Sequence, residues 1–231
     1  MISNNNIGTN KVDSASNSGL DCVALLSGGN LQVVNNLIHF CSTSVLVQPS
    51  AGTLIGDLFF ANNSFEQNTV AGMIFNKGTL TTGQTIQIAN NDFGGGTPDG
   101  IFLGDANAGW LGDVTIVGNT FYPNNATGIT ITNSSNGAGS SGGIAIIGNA
   151  FRTGGGSPTG INITGNAAKG RAEGNVFHAL STNIANVSPT FLAENFVNGH
   201  AGYVGVAPTL TAGCNGPGQV TTGATDHSGT I

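Results

Sequence analysis

Charge is what this sequence has least of. Only 7% of its 231 residues are Asp, Glu, Lys or Arg, and five Lys and Arg stand against eleven Asp and Glu, a net charge of −6. So few cations cannot neutralise a run of phosphates, which argues against nucleic acid as a partner. No apolar run approaches the ~18 residues of a membrane span, and no basic-then-apolar leader follows Met1, so neither a membrane nor a secretory route is expected. Cysteine is scarce and odd in number. Cys22, Cys41 and Cys214 show no CxxC or His-rich spacing, so the expectation is buried free thiols, no metal or other cofactor, and no need for an oxidising compartment. Helical periodicity is absent, and 38 glycines oppose long helices. With so few charges the surface must be built from Asn, Ser, Thr and Gly, yet regularly placed apolar residues rule against disorder.

What is there is a repeated phrase: an apolar residue, any residue, Asn or Gly, Asn, any residue, then Phe or Ile. It reads Val33-Val-Asn-Asn36-Leu-Ile38, Phe60-Ala-Asn-Asn63-Ser-Phe65 and Ile88-Ala-Asn-Asn91-Asp-Phe93. It continues as Ile116-Val-Gly-Asn119-Thr-Phe121 and Ile146-Ile-Gly-Asn149-Ala-Phe151, with an opening copy at Ile2–Ile7 and weaker ones ending at Phe177 and Val197. The fourth-position Asn recurs after 31, 27, 28, 28, 30, 26 and 20 residues, a period in the range of stacked repeats. A short β-rich run precedes each phrase. Nine residues after most repeat Asn comes a Gly that opens an alternating apolar run, as in Gly72-Met-Ile-Phe and Gly100-Ile-Phe-Leu. Each period therefore holds two or three short strands separated by turn residues.

Short strands that return to one register every ~28 residues suit a coil whose turns stack as parallel sheets ~4.8 Å apart. The predicted fold is all-β, a parallel β-helix of about eight rungs over residues 1–198. Five of twelve Phe (65, 93, 121, 151 and 177) fall in one column and are expected to point inward and stack. The repeat Asn is expected at a bend, where it tolerates a left-handed backbone and bonds from rung to rung. Met1 enters directly into a repeat phrase, so a preceding segment or a partner is expected to cover that edge. Residues 199–231 are expected to form a β-rich C-terminal segment that stops short.

These rungs resemble the right-handed parallel β-helix of phage tailspikes and pectate-lyase-like proteins. The C-terminal run Pro208-Thr-Leu-Thr-Ala-Gly-Cys214 through Thr225-Asp-His-Ser-Gly-Thr-Ile231 resembles a stretch near the ends of phage fibre and tailspike proteins, where it begins a domain that helps form trimers. The resemblance implies a homotrimeric virion protein, made in the host cytoplasm without a signal peptide. Its implied partners are other virion proteins and a bacterial surface polysaccharide. The fold alone does not choose among lyases, hydrolases, adhesins and inert shafts.

Counting columns from the repeat Asn locates candidate chemistry. The third position after it should face solvent, by strand alternation. Up the stack it holds His39, Glu66, Gly94, Tyr122, Arg152 and His178, about 24 Å of imidazole, charged and aromatic groups. Such a stripe suits a glycan, through bidentate bonds from Arg and stacking on Tyr; the bland alternative is an ordinary polar outer column. Lys77, Asp105 and Asn133 form a second column, read as a surface ion pair of little worth. The loop Asp105–Asp113 holds the one Trp, Trp110, read either as a sugar platform or as a side chain tucked over a rung gap. For hydrolysis two carboxylates are needed; Glu66, Asp99 and Asp105 are the candidates, and the stripe itself supplies only Glu66. Three readings follow: recognition of a host glycan, depolymerisation of capsule or lipopolysaccharide, and a purely structural shaft.

Overall fold

The computed structural model describes residues 1–8, 20–26, 29–48, 56–75, 85–94, 97–104, 113–123, 126–132, 143–152, 155–164, 170–186, 191–197 and 200–202. Within them every regular element is a strand, and the strands wind into a parallel β-solenoid. Each turn has three limbs. The first limb is the strand before the paired Asn, such as Leu58–Ala61 or Ile86–Ala89, and the second is the strand after it, such as Ser64–Glu66 or Asp92–Gly94. The third is the next strand, such as Ala71–Phe75 or Asp99–Leu103. Third-limb strands pair only with one another, in a seven-stranded sheet. The first and second limbs join into a larger sheet because Gly170–His178 runs unbroken through the bend, pairing with Ile144–Ile147 and then with Ala150–Arg152. Seven turns thus carry all three limbs, and Phe191–Val197 begins an eighth on Gly170–His178. Past it, His200–Gly202 pairs antiparallel with Asn195–Val197, so the parallel coil gives way there to a hairpin.

Alternation decides what goes inside. Phe65, Phe93, Phe121, Phe151 and Phe177 are buried and stack ring on ring, with centroids 4.9, 4.8, 4.8 and 4.9 Å apart. The ring spacing equals the strand spacing, so backbone pairing and aromatic stacking satisfy one period together. The Gly that stands second in four of the third-limb strands makes room for these rings and for the carbonyl of the next turn. A Cβ on Gly72, Gly100, Gly128 or Gly160 would lie 2.6–2.8 Å from Phe93, Phe121, Phe151 or Phe177 respectively, the Phe of the following turn. What reads in sequence as turn punctuation is a packing requirement.

Bend geometry and ladder bonding, expected of one Asn, are divided between two neighbours. The third position of the phrase takes the left-handed backbone: Asn4, Asn35, Asn62 and Asn90 have φ of 54–58°, and Gly118, Gly148 and Gly174 have 62–66°. That is why only Asn or Gly stands there. The fourth position turns inward and builds the ladder. Asn36, Asn63, Asn91, Asn119, Asn149 and Asn175 are all buried. Each side-chain oxygen accepts both the backbone N–H and the amide of the preceding rung's Asn, at 2.8–3.2 Å. Each amide also donates to a first-limb carbonyl of the rung before, as Asn119 does to Ile88 at 2.9 Å. Polar groups at the one bend that faces the core are thereby satisfied without water.

The expectation of free thiols is overturned for two of the three cysteines. Cys22 and Cys41 are joined in a disulfide, their Cα atoms 5.8 Å apart and 19 residues apart in sequence. It ties the first turn to the second, beside the backbone bond from the Cys22 N–H to the Thr43 carbonyl. Cys214 lies outside the described residues.

Candidate functional site

The second limb turns two columns of side chains outward, one on each side of the inward Phe. Those following the Phe are the six positions read from the sequence. His39 registers on Glu66, Glu66 on Gly94, and Arg152 on His178, while Tyr122 joins through the Phe93–Phe121 pairing and its N–H bond of 2.9 Å to the Phe93 carbonyl. They form one stripe on one face. The chain turns sharply as it leaves this stripe: Phe40, Gln67 and Ala179, each next after a stripe residue, have φ of 58°, 52° and 56°.

The members are unequal. His39 folds over Gly8, where its Nε2 lies 2.7 Å from Asn6 Oδ1 and its ring meets Phe40 at 4.6 Å. It is largely committed to its own neighbours. Glu66 accepts the Ser64 hydroxyl at 2.7 Å. Arg152 and His178 are exposed side by side on adjoining rungs at the far end. At the middle stands Gly94, with two side chains at contact distance of where its own would be. A Cβ there would sit 3.6 Å from the Tyr122 ring and 3.8 Å from both carboxylate oxygens of Asp92. The Tyr122 ring and the Asp92 carboxylate thus flank one backbone position, with Glu66 on the rung beneath.

Asp92 is the residue that column counting missed. It registers on Ser64, in the outward column before the Phe, while Glu66 stands in the column after it. Two carboxylates therefore lie on adjoining rungs, offset by two residues along the strand, a Cα separation of ~8 Å from the strand spacing and rise. Partial burial holds the Asp92 carboxyl above its ordinary range, and the Glu66 carboxylate adds to the rise. The column of Glu66 still holds that one acid; the second comes from the column beside it. The signal was present in the phrase Asn91-Asp92-Phe93, which places Asp92 one residue before the inward ring and so also outward.

Asp99 does not join this pair. It opens a third-limb strand, where its carboxylate accepts the Thr127 N–H at 2.9 Å. Burial raises its pKa, and that amide bond opposes the rise. Asp113 likewise spends an oxygen on the Gly143 N–H at 3.1 Å. Asp105, Trp110, Lys77 and Asn133 lie outside the described residues. Among the described residues no group of three or more His, Cys, Asp or Glu is placed to hold a metal ion, and no helix is long and apolar enough to cross a membrane. No protein-family model, no curated protein and no solved structure matches the chain.

Chemically the face offers a flat aromatic ring, a guanidinium, an imidazole, two carboxylates and the Ser64 and Thr120 hydroxyl positions, on a strip one strand wide. It fits an extended polymer that carries many hydroxyls and repeats at intervals of several ångströms along the stack.

Proposed function

We propose that this protein recognises a cell-surface polysaccharide along its second-limb stripe, as a receptor-binding fibre or tailspike of a phage virion. The observation that carries the reading is that Glu66, Asp92, Tyr122, Arg152 and His178 share one outward face of a chain only 7% of whose residues are charged. A solenoid fixes its inward residues by stacking, so selection for a ligand acts on the outward columns. Tyr122 would stack on a sugar face, while Arg152 and the two carboxylates would bond to hydroxyls or to charged substituents. Other virion proteins and further copies of the chain are the partners of this reading.

The test is binding of the purified 231-residue chain to polysaccharides from candidate bacterial hosts. Binding should weaken at least tenfold in Tyr122→Ala and in Arg152→Ala, since a stacking contact and a charge-assisted bond each contribute on the order of 1–3 kcal/mol. Binding unchanged in both variants would show that the ligand, if any, lies elsewhere.

A second reading, a polysaccharide depolymerase, is favoured by one observation: Asp92 and Glu66 share a face and Asp92 holds its proton more tightly than usual. Glycoside hydrolysis uses one carboxyl that keeps its proton and one that is ionised. Asp92 would be the acid and Glu66 the base that activates water. Release of new reducing ends, abolished in Asp92→Asn and in Glu66→Gln with binding retained, would establish it. Binding with no cleavage by the unaltered protein would exclude it.

A further inference from the structure

We propose that the glycan taken by the second-limb stripe is acidic, its carboxylate held between Arg152 and His178, while the turns of Glu66 and Asp92 accept only uncharged sugars. The inference rests on the reading of the stripe as a glycan site and names the class of glycan. Charge on the outer second limb is sorted along the stack. The third and fourth turns carry Glu66 and Asp92, and the fifth Thr120 and Tyr122. The sixth and seventh carry Arg152 and His178, with no acid in either outward column of the limb. The companion column becomes apolar at the same level, through a half-buried Ala150 and a Val176 that is 44% exposed.

The cationic end has its charge to offer. Arg171 is ion-paired with Glu173 at 3.4 Å, and the His39 ring is spent on Asn6 at 2.7 Å. Among the described residues neither the Arg152 nor the His178 side chain has a protein partner. The two are in register on adjoining strands, so their backbones stand ~4.8 Å apart. A planar guanidinium fork takes both oxygens of a carboxylate, and an imidazole N–H one strand away reaches the same group. Ala150 and Val176 give apolar surface to the ring that carries the carboxylate and nothing to a second anion.

The rest of the stripe refuses that anion. With a net charge of −6 the chain as a whole repels a polyanion, so an acidic polymer is held only where the local sign is reversed. Burial and the Glu66 carboxylate already keep the Asp92 carboxyl above its ordinary range, and a sugar carboxylate at that level would add a third negative charge. Glu66 lies three strand spacings from Arg152, ~14 Å along the stack. One carboxylate in a repeat of several sugars satisfies both ends of the stripe. One on every sugar does not.

The test measures binding of the full chain to the panel of bacterial polysaccharides, each as isolated and after carbodiimide–borohydride reduction, which turns carboxylates into neutral hydroxymethyl groups. Polygalacturonate joins the panel as a polymer charged on every sugar. The unaltered chain should bind acidic members, and reduction of the polymer should weaken binding roughly tenfold or more, the worth of a charge-assisted pair. Arg152→Gln should lose the same factor on the native polymer and nothing further on the reduced one. Arg152→Lys, which keeps the charge without the fork, should fall between. Val176→Asp, an acid set beside His178, should weaken binding of the native polymer and spare the reduced one. Polygalacturonate should bind more weakly than the other acidic members, and Glu66→Gln combined with Asp92→Asn should narrow that gap. Circular dichroism checks that each variant keeps its β signal; Arg152 is exposed, so Arg152→Gln leaves the core untouched and decides alone should another variant fail. Neutral members or polygalacturonate bound as tightly as the other acidic ones, or an equal loss in Arg152→Gln on native and reduced polymer, overturns the proposal and leaves the stripe a glycan site. A chain that binds no member of the panel overturns both.

Discussion

Replacing Asn119 by Ala should cost far more than its single small side chain suggests. Asn119 is buried in mid-stack, and its amide makes four hydrogen bonds. Its oxygen accepts the Asn91 N–H at 2.8 Å and the Asn91 amide at 3.0 Å; its own amide donates to the Ile88 carbonyl at 2.9 Å and to Asn149 Oδ1 at 3.0 Å. Each such bond contributes ~1 kcal/mol net, and a buried N–H left without an acceptor costs ~1–3 kcal/mol. The Asn91 N–H would be left so, and with the other three bonds the sum is about 4–6 kcal/mol. Asn5 supplies the internal control. It ends the ladder, its side chain is exposed, and it receives no bond from a preceding Asn, so Asn5→Ala should cost under ~1 kcal/mol. Asn90 is the second control: it holds φ of 54° beside the ladder with an exposed side chain, so Asn90→Gly should lie within ~0.5 kcal/mol of the unaltered protein. Urea unfolding followed by circular dichroism ranks the three. Equal midpoints for Asn119→Ala and Asn5→Ala would refute the ladder as a source of stability, and a larger loss in Asn90→Gly would refute the division of labour between the two positions.

Gly128→Ala should destabilise by ~2 kcal/mol or more, because its Cβ would stand 2.7 Å from the Gly160 carbonyl oxygen and 2.8 Å from the Phe151 ring; Phe151→Leu in the same chain should recover only the ring's share of that loss in a double-mutant cycle, and strict additivity would assign the whole loss to the backbone contact. Thiol titration of the denatured, unreduced chain should find one of three cysteines free, and reduction should lower the stability of the first turn by ~3 kcal/mol on the chain-entropy account of a loop of about this length; three free thiols would remove the crosslink. Asp92 has a folded pKa above the ordinary 3.8, so its contribution to stability is full in acid below that value and is lost as pH rises through the folded pKa. Asp92→Asn should therefore raise Tm relative to the unaltered chain at pH 7, with the gain fading towards pH 3.5; a difference that does not change with pH would contradict the shift.

What was legible in the sequence is whatever repeats with the turn. Phe65 to Phe177 could be placed in one inward column because spacing and chemistry recur together, and the stripe from His39 to His178 followed by counting three from each Asn. What escaped depends on how unequal turns lie on one another. Cys22 and Cys41 are 19 residues apart, nothing like the 31 from Asn5 to Asn36, so their separation did not read as one step between turns. Yet on the third limb Val23 registers on Val45, only 22 residues on, because the first turn spends its extra length before that strand. Asp92 escaped differently. The count followed a single column, whereas an outward face has two, and the Glu66–Asp92 pair exists only across them.

That distinction bears on how function is written into such a coil. Inward positions answer to stacking, so a change at Phe121 or Asn119 disturbs every neighbour above and below, and those columns converge on one residue type. Outward positions answer to nothing in the monomer beyond tolerance of a strand, so departures from neutrality there cost stability and need a reason. Asp92 shows this cost in its raised pKa: a carboxyl partly withdrawn from water, beside another carboxylate, where Ser or Thr would have served the strand as well. Two carboxylates and a guanidinium on the second limb, where a strand asks only for tolerance, are therefore the departures that a ligand would explain. Removing Arg152 should accordingly weaken ligand binding while the inward columns, and with them the fold, stay in place.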